Sequence, residues 1–360
     1  MQVTRSFLPG LDEYVALLEG VWETGQLTNH GPLVTRLESR LRDYLDVDHL
    51  FAICNGTVAL QIAIEALEFA GDVITTPFSY VATTSSLVWQ HCRPVFADID
   101  RESLAIDPAA IESVITPETT GILATHVYGF PCDIDGIGRV AEKYGLKIIY
   151  DAAHCFGARF RGRGMMRYGD AAISSFHATK IFHCAEGGAV TVSDSELAER
   201  VAYMRNFGHK GREDFHGIGI NGKLSELHAA MGLAVFEHVE DIIASRRAVV
   251  EDYWQRLDGV EGLRFLKPGP EVDWNYAYLP VVLPDERAVE SVRDRLAEAS
   301  IYPRRYFYPP LHRLPGLEPG PSMPVAEEMA TRVMCLPVFP GIEEMVVEKV
   351  ASEIARAAAR

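Results

Sequence analysis

The residues with most chemistry in this chain lie in Ser174-Ser175-Phe176-His177-Ala178-Thr179-Lys180. An apolar run, Ala171 to Ser175, leads into a polar turn carrying one lysine. Gly187-Gly188 then lets the backbone turn sharply into a second apolar run, Ala189 to Val192. Lys180 is thus presented from a turn between two predicted strands, and taken alone it reads as a solvated surface charge. A second group changes that. Lys147-Ile-Ile-Tyr-Asp151-Ala-Ala-His154-Cys-Phe-Gly157 reads as a buried strand ending in an aspartate, followed by small residues, a histidine and a glycine. Asp151 could merely cap the next helix. Ligands of open α/β sheets, however, bind beyond the carboxyl ends of the strands, where Asp151 and Lys180 could share one crevice. A lysine for a Schiff base and a carboxylate for a pyridinium nitrogen are what pyridoxal phosphate chemistry demands.

Two further stretches offer complementary groups. Leu50 to Cys54 is a short apolar run ending at Asn55-Gly56-Thr57, after which Val58 to Leu67 has helical spacing. Strand, glycine turn and helix can bind phosphate through backbone N–H groups and a hydroxyl, although Asn-Gly-Thr is also an ordinary cap and turn. Asp72 to Thr76 is followed by Pro77-Phe78-Ser79-Tyr80. An aromatic ring just past a strand end can stack on a planar heterocycle; Phe78 reads as a core residue and Tyr80 as the candidate. His154 is either a polar support for such a ring or for Asp151, or a packed histidine. Ser175 and Thr179 flank the lysine turn with hydroxyls. The neighbouring His154, Cys155, His177, His183 and Cys184 show none of the paired spacings of a zinc site, so no metal is expected.

The elements that must position these groups alternate in type. Helices are predicted over Leu11 to Trp22, Pro108 to Val114, Asp135 to Tyr144 and Leu197 to Arg205, with strands over Pro94 to Ala97 and Thr120 to Thr125. Such βα units favour a mainly parallel sheet covered on both faces. No Gly-x-Gly-x-x-Gly follows the early strands, which argues against a nicotinamide enzyme. Asn206 to Gly222 is a glycine-rich loop, either functional or disordered. Leu224 to Leu257 reads as one long helical stretch, bent if anywhere near Asp241, leading from a large domain (1–240) into a small one (241–360). The small domain is predicted as an α+β layer: a strand over Tyr276 to Leu283, a helix over Glu286 to Ala299, a strand near Ile301 to Phe307, and helices over Pro324 to Val333 and Glu343 to Ala359. Arg304 to His312 mixes cations, aromatics and prolines, either as packed structure with snorkelling arginines or as a substrate-facing segment.

Three runs together resemble the DegT/DnrJ/EryC1/StrS family of nucleotide-sugar aminotransferases: Asp151-Ala-Ala-His-Cys-Phe-Gly-Ala, Ser-Phe-His-Ala-Thr-Lys180 with its Glu-Gly-Gly, and Gly219-Ile-Asn-Gly-Lys-Leu-Ser-Glu226. The similarity extends from Gly25-Gln-Leu to Leu336-Pro-Val-Phe-Pro-Gly341. It implies an α/β, aspartate-aminotransferase-like fold (fold type I of pyridoxal phosphate enzymes), with a mainly parallel seven-stranded sheet in the large domain and a smaller α+β C-terminal domain. It implies pyridoxal 5'-phosphate as cofactor and Lys180, Asp151 and His154 as catalytic groups. Gly56, Thr57 and Ser175 would hold the phosphate, with Tyr80 stacked on the ring. Asn221 matches an asparagine that reaches the neighbouring subunit's cofactor, implying a homodimer with shared active sites. Lys223 stands where the family commonly has arginine, and a lysine lacks the bidentate fork for a substrate phosphate. His183, Lys223, Arg304, Tyr306 and His312 are the candidates for the substrate side.

The reaction implied by the resemblance is transamination of a nucleotide-linked keto-6-deoxy sugar, dTDP-4-keto-6-deoxyhexose to the 4-amino sugar, with L-glutamate as donor. His-Ala-Thr-Lys-Ile-Phe-His with Glu-Gly-Gly looks most like the branch that aminates carbon 4. A branch acting on carbon 3 is the alternative, and a non-catalytic regulator on the same fold is the alternative of another class. Dehydratases among the relatives replace the Schiff-base lysine with histidine, whereas Lys180 is retained here.

Composition narrows the partners. A chain of 360 residues, 48% hydrophobic and 23% charged, can bury the core of a globular protein with two domains. The net charge of -16 excludes general binding to nucleic acid or anionic membrane, which needs a basic face. A small anionic substrate then requires Arg or Lys to converge locally. No apolar run is long enough to span a bilayer, and the N-terminus lacks the apolar core of a signal peptide, so a cytoplasmic location is expected. Six cysteines without a Cys-x-x-Cys pair read as reduced core residues.

Overall fold

Strands buried on both faces must be apolar throughout rather than alternating, and the central runs of this chain are. In the computed structural model, which describes residues 1–358, seven of them form one sheet. They are β1 (His49–Ile53), β2 (Asp72–Thr75), β3 (Arg93–Phe96), β4 (Thr119–Thr125), β5 (Lys147–Asp151), β6 (Ala171–Ser175) and β7 (Gly188–Val192), in the order β1-β7-β6-β5-β4-β2-β3. Pairings among β2 to β6 are parallel, and β7 alone runs against its neighbours β6 and β1. The carboxyl ends of β4, β5 and β6 therefore share one edge, where Thr125 lies in register with Asp151 and Ser175 ends the next strand.

Twelve α-helices accompany the strands among the described residues: α1 (Leu11–Thr24), α2 (Pro32–Leu45), α3 (Gly56–Ala66), α4 (Val81–Trp89), α5 (Pro108–Ser113), α6 (Ile134–Tyr144), α7 (Ser195–Met204), α8 (Glu226–Phe236), α9 (Val239–Arg256), α10 (Glu286–Glu298), α11 (Pro324–Arg332) and α12 (Glu344–Ala358). Alternate strand residues feed two separate cores, which is how a sheet covered on both faces must behave. Val73, Leu123, Ile149, Ile173 and Val190 pack with α3 and α7, while Ile74, Ile122, Ile148, Tyr150 and Ala172 pack with α2, α6 and α8. None of the helices is long and apolar enough to cross a membrane, among the described residues.

A second, antiparallel sheet holds β8 (Arg264–Phe265), β9 (Leu279–Val282) and β10 (Val333–Leu336) in that order. The buried faces of α10, α11 and α12 join it to the same core as the large sheet. The chain's start belongs to this layer too: Gln2 bridges Tyr302, and Val338 N–H donates to Val3 at 3.0 Å.

Three expectations are corrected. The stretch from Leu224 to Leu257 is two helices, and its break falls at Glu237–His238 rather than near Asp241, because His238 leaves the helical region at φ -109° without any glycine or proline to announce it. Ile301 to Phe307 is not a strand: Pro303 lacks an N–H, and only isolated bridges form, Tyr302 to Gln2 and Arg304 to Cys335. The loop from Asn206 to Gly222 holds a two-residue hairpin, His209–Lys210 against Asp214–Phe215. Ala359, the expected end of the last helix, lies outside the described residues.

Candidate active site

The lysine turn is pinned at both ends by backbone. Phe176, fully buried at the end of β6, donates to Gly187 at 2.8 Å and accepts from Cys184 at 2.9 Å. Ala178 N–H donates to Ala185 at 2.8 Å, and Lys180 N–H to His177 at 2.9 Å. Gly188, where β7 begins, leaves no space for a side chain, since a Cβ there would stand 2.7 Å from the carbonyl carbon of Asn55. That close approach brings the lysine turn against the N-terminus of α3. Between them opens a cavity of about 560 Å³, lined by Lys180, Asp151, His154 and Ser175 with Asn55, Gly56, Thr57 and Tyr80. Tyr278, Arg304, Tyr306 and Phe307 close it from the C-terminal layer.

Asp151 ends β5 almost completely buried. Its Oδ2 accepts from the Thr83 hydroxyl at 2.8 Å and its Oδ1 from Ala153 N–H at 3.1 Å. Burial holds the carboxyl above the ordinary aspartate range, while Thr83, the Ala153 amide and Lys180 pull it back down. Thr83 is itself placed by a chain of hydroxyls: Ser79 lies 2.8 Å from Thr83 and 3.0 Å from Thr125. Lys180, half-buried as a side chain, loses enough hydration at the cavity wall to bring its amine down to about 8, against the pull of Asp151. Its Nζ lies 5.7 Å from the centre of the Tyr278 ring.

His154 is held in one orientation. Tyr128 N–H donates to its Nδ1 at 3.1 Å, so the neutral ring carries its proton on Nε2. Burial, with the Lys180 charge, keeps the imidazole well below its ordinary pKa and therefore neutral. The buried Asn275 fixes the strand end beneath, donating to the carbonyls of His154 and Phe156 at 2.8 Å each.

At the cradle, the Asn55 side chain caps α3 by accepting from Val58 N–H at 2.8 Å. The amides of Gly56 and Thr57 are first-turn donors without an intrahelical partner, pointing a positive helix end into the cavity. A Cβ on Gly56 would approach Ser175 Cβ to 3.0 Å, so only a glycine lets the helix come this near the lysine strand. An amine, a buried carboxylate and a phosphate-sized cradle with a hydroxyl on each side are the donor set that pyridoxal phosphate requires.

Four candidates do not line this cavity. His183 is buried with Nε2 2.7 Å from the Phe7 carbonyl and Nδ1 accepting from Ala185 N–H, so its polar atoms are consumed inside the fold. His312 is buried against Glu327, 2.8 Å from its carboxylate, and does not line the cavity. Asn221 and Lys223, joined by a 2.7 Å hydrogen bond, do not line the cavity of their own chain, although Lys223 bridges Ile53 and Cys54 N–H donates to Gly222 at 2.8 Å, which ties the segment to the end of β1. Thr83, Ser79 and Tyr278 were not foreseen. Thr83 lies one helical turn past Tyr80, and that spacing is the only signal the sequence offers for it.

The model of the DegT/DnrJ/EryC1/StrS aminotransferase family matches residues 11–355. This chain belongs to that family. The aminotransferase is 39% identical over 357 residues to the dTDP-4-amino-4,6-dideoxy-D-glucose transaminase of Shigella dysenteriae, across 98% of this chain and 97% of the relative. It is 31% identical over 322 residues to the dTDP-3-amino-3,4,6-trideoxy-alpha-D-glucose transaminase of Streptomyces venezuelae, across 87% and 84%. A crystal structure of DesI in the presence of its TDP-sugar product matches it with a TM-score of 0.94 at 32% identity, over 99% of this chain and 93% of that one. The aminotransferase has the type I fold, and pyridoxal phosphate is its cofactor.

Proposed function

We propose that this aminotransferase converts a dTDP-linked 4-keto-6-deoxyhexose to the 4-amino sugar with L-glutamate as donor, in the cytoplasm, as a homodimer with shared active sites. One observation carries the reading: Lys180 and the buried Asp151 line a single cavity whose far wall is the N-terminus of α3. The likeness to a transaminase named for the 4-amino sugar supports the choice of carbon.

Bound pyridoxal phosphate supplies an aldehyde and an electron-accepting ring. Lys180 anchors it through Nζ, and an amine brought down to about 8 is substantially neutral at mildly alkaline pH, hence nucleophilic. With the cofactor bound, the same Nζ would act as the base that takes the proton from the donor's α-carbon and, in the sugar half-reaction, as the acid that delivers one to the sugar carbon gaining the amine. Asp151, kept ionised by Thr83 and Ala153, holds the proton on the ring nitrogen. Neutral His154 offers its Nε2–H as a donor beside the ring. Gly56, Thr57 and Ser175 hold the phosphate, and Tyr80, half-exposed at the start of α4, covers the ring. Asn221 and Lys223, which do not line the cavity of their own chain, serve the partner subunit's site. A large domain of 1–240 provides the cofactor half and a small domain of 241–360 the remaining wall.

Incubation with glutamate and a panel of keto-sugar nucleotides, followed by mass and NMR analysis of product, tests this. An amine on carbon 4 of a dTDP sugar is expected. An amine on carbon 3, the reading favoured by the Streptomyces relative, would displace the assignment of carbon. Tight cofactor binding without turnover of any donor and acceptor would displace catalysis in favour of a regulator.

A further inference from the structure

The reaction needs two substrates in turn at one amine, and both are anionic. The sugar nucleotide carries its charge on a diphosphate attached at carbon 1 of the hexose, across the ring from carbon 4. An amino-acid donor carries its α-carboxylate on the same carbon that bears the reacting amine, one bond away. The cation that recognises the donor must therefore sit in the lysine's own cavity, whereas the cation for the diphosphate must sit farther out.

Among the described residues, the cavity has one amine and one guanidinium, those of Lys180 and Arg304. Lys180 is committed to the cofactor. Of the cavity's two imidazoles, His154 is kept neutral by burial, and His177 is engaged by Thr179, 2.9 Å from its Nδ1, and by Glu186 at 3.7 Å. The two carboxylates on the wall, Asp151 and Glu186, both repel an incoming anion. Arg304 forms no ion pair with any carboxylate of the described residues, although most arginines here do. Its neighbour Arg305 is paired with Glu286.

The backbone of Arg304 is tied on both sides to Cys335 of β10, by hydrogen bonds of 3.2 and 2.8 Å. Its guanidinium lies 4.6 Å over the Tyr306 ring, which steadies the plane and leaves the N–H edge available. The Arg304 charge is felt at Lys180, where it opposes protonation. A planar guanidinium so placed suits bidentate recognition of a planar carboxylate.

We infer that Arg304 is the receptor for the α-carboxylate of the amino donor, and that it separates α-amino acids from other amines. This rests on the transaminase reading above but concerns the donor half alone. The diphosphate of the acceptor is left to a cation farther out, for which the partner's Lys223 is the candidate.

The two half-reactions separate the possibilities. Cofactor-loaded wild type is mixed rapidly with L-glutamate or with 4-aminobutyrate, which is glutamate without its α-carboxylate, and loss of the visible band is followed. Enzyme preloaded with the amine is then mixed with dTDP-4-keto-6-deoxyglucose in a separate run. Wild type should favour glutamate strongly. Arg304→Gln should lose about 100-fold in glutamate kcat/KM, mostly as a higher KM, and bring glutamate down to the level of 4-aminobutyrate. The sugar half-reaction should change less than threefold. Arg304→Lys, which keeps the charge without the fork, should fall between the two. The intact visible band of each variant checks folding and loading. An unchanged glutamate to 4-aminobutyrate ratio overturns the inference, as does a loss confined to the sugar half-reaction, which would assign Arg304 to the diphosphate. Wild type that reacts with glutamate but with no sugar nucleotide defeats the proposed substrate while leaving the donor comparison readable.

Discussion

Replacing Thr83 with valine removes one hydroxyl from beneath the cofactor site while keeping the branched shape. Asp151 has two hydrogen-bond donors, the Thr83 hydroxyl at 2.8 Å and the Ala153 amide at 3.1 Å, so the substitution strips one of its oxygens of its partner. Ser79 keeps its 3.0 Å bond to Thr125, and no second group is orphaned. A hydrogen bond to a buried charged group contributes about 1.5–3 kcal/mol, so an anionic Asp151 should be destabilised by that amount. In the proposed mechanism the ring-nitrogen proton of the cofactor relies on that anion. Retention of pyridoxal phosphate should therefore weaken about 10- to 100-fold at neutral pH.

The pH dependence has a defined sign. A carboxyl held above its ordinary range binds its proton more tightly in the folded than in the unfolded protein. It contributes stability at acid pH that is lost as pH rises from the ordinary aspartate value through the raised one. Thr83→Val raises the folded value further. The deficit in melting temperature of the cofactor-free variant should then widen from acid to neutral pH, and Thr83→Ser should close it. Cofactor titrations and thermal melts across pH read both effects. A dissociation constant within twofold of wild type, with a deficit that is flat in pH, would refute the role given to Thr83.

Four other outcomes follow from the same geometry. With the Lys180 amine at about 8, the rate at which cofactor-free enzyme captures pyridoxal phosphate should climb with pH and level off just above that value; a climb continuing toward the ordinary lysine range would contradict the desolvated amine. Lys180→Ala should show neither the visible band nor turnover. Asn221→Ala should weaken cofactor retention about tenfold, the worth of one charge-assisted hydrogen bond. Mixed dimers of Asn221→Ala with Lys180→Ala should regain activity through one site that has both residues; absence of regain would speak against shared sites.

The residues that the sequence exposes best are those whose chemistry forces an unusual local pattern. Lys180 follows a strand and precedes a glycine pair, and Gly188 is there because no side chain fits against Asn55. Asp151 ends a strand with small residues after it, as a buried carboxylate at a sheet edge must. The large sheet was legible because its strands have apolar centres, with polar residues mostly at their ends, and its turns carry glycine or a capping residue. Thr83 was not, since its partner lies 68 residues away and a threonine in the first turn of a helix looks ordinary. His183, beside the lysine turn, and His312, in the aromatic and cationic segment after Arg304, advertise chemistry in the sequence, but in the fold a backbone carbonyl engages the first and a carboxylate the second. The break between α8 and α9 carries no glycine or proline, and a turn centred on His238 leaves no compositional mark.

The two layers that form the cavity are bonded to each other at the cavity itself. Asn275 and Trp274, just before β9, donate to the carbonyls of His154, Phe156 and Tyr128. The Tyr128 hydroxyl in turn donates to the Tyr306 carbonyl. Farther out, Asp98 caps α11 by accepting from Val325 and Ala326 at 2.9 Å each, and Leu311 N–H donates to Pro77 at 2.7 Å, two residues before Ser79. Opening the wall that carries Tyr278, Arg304 and Tyr306 would break these hydrogen bonds, at about 1–3 kcal/mol for each buried group left without a partner. A wall so fixed holds its cation at one distance from Lys180 through both half-reactions. Selection between donor and sugar then falls to where each substrate carries its negative charge relative to the reacting carbon, rather than to a closure that one of them triggers.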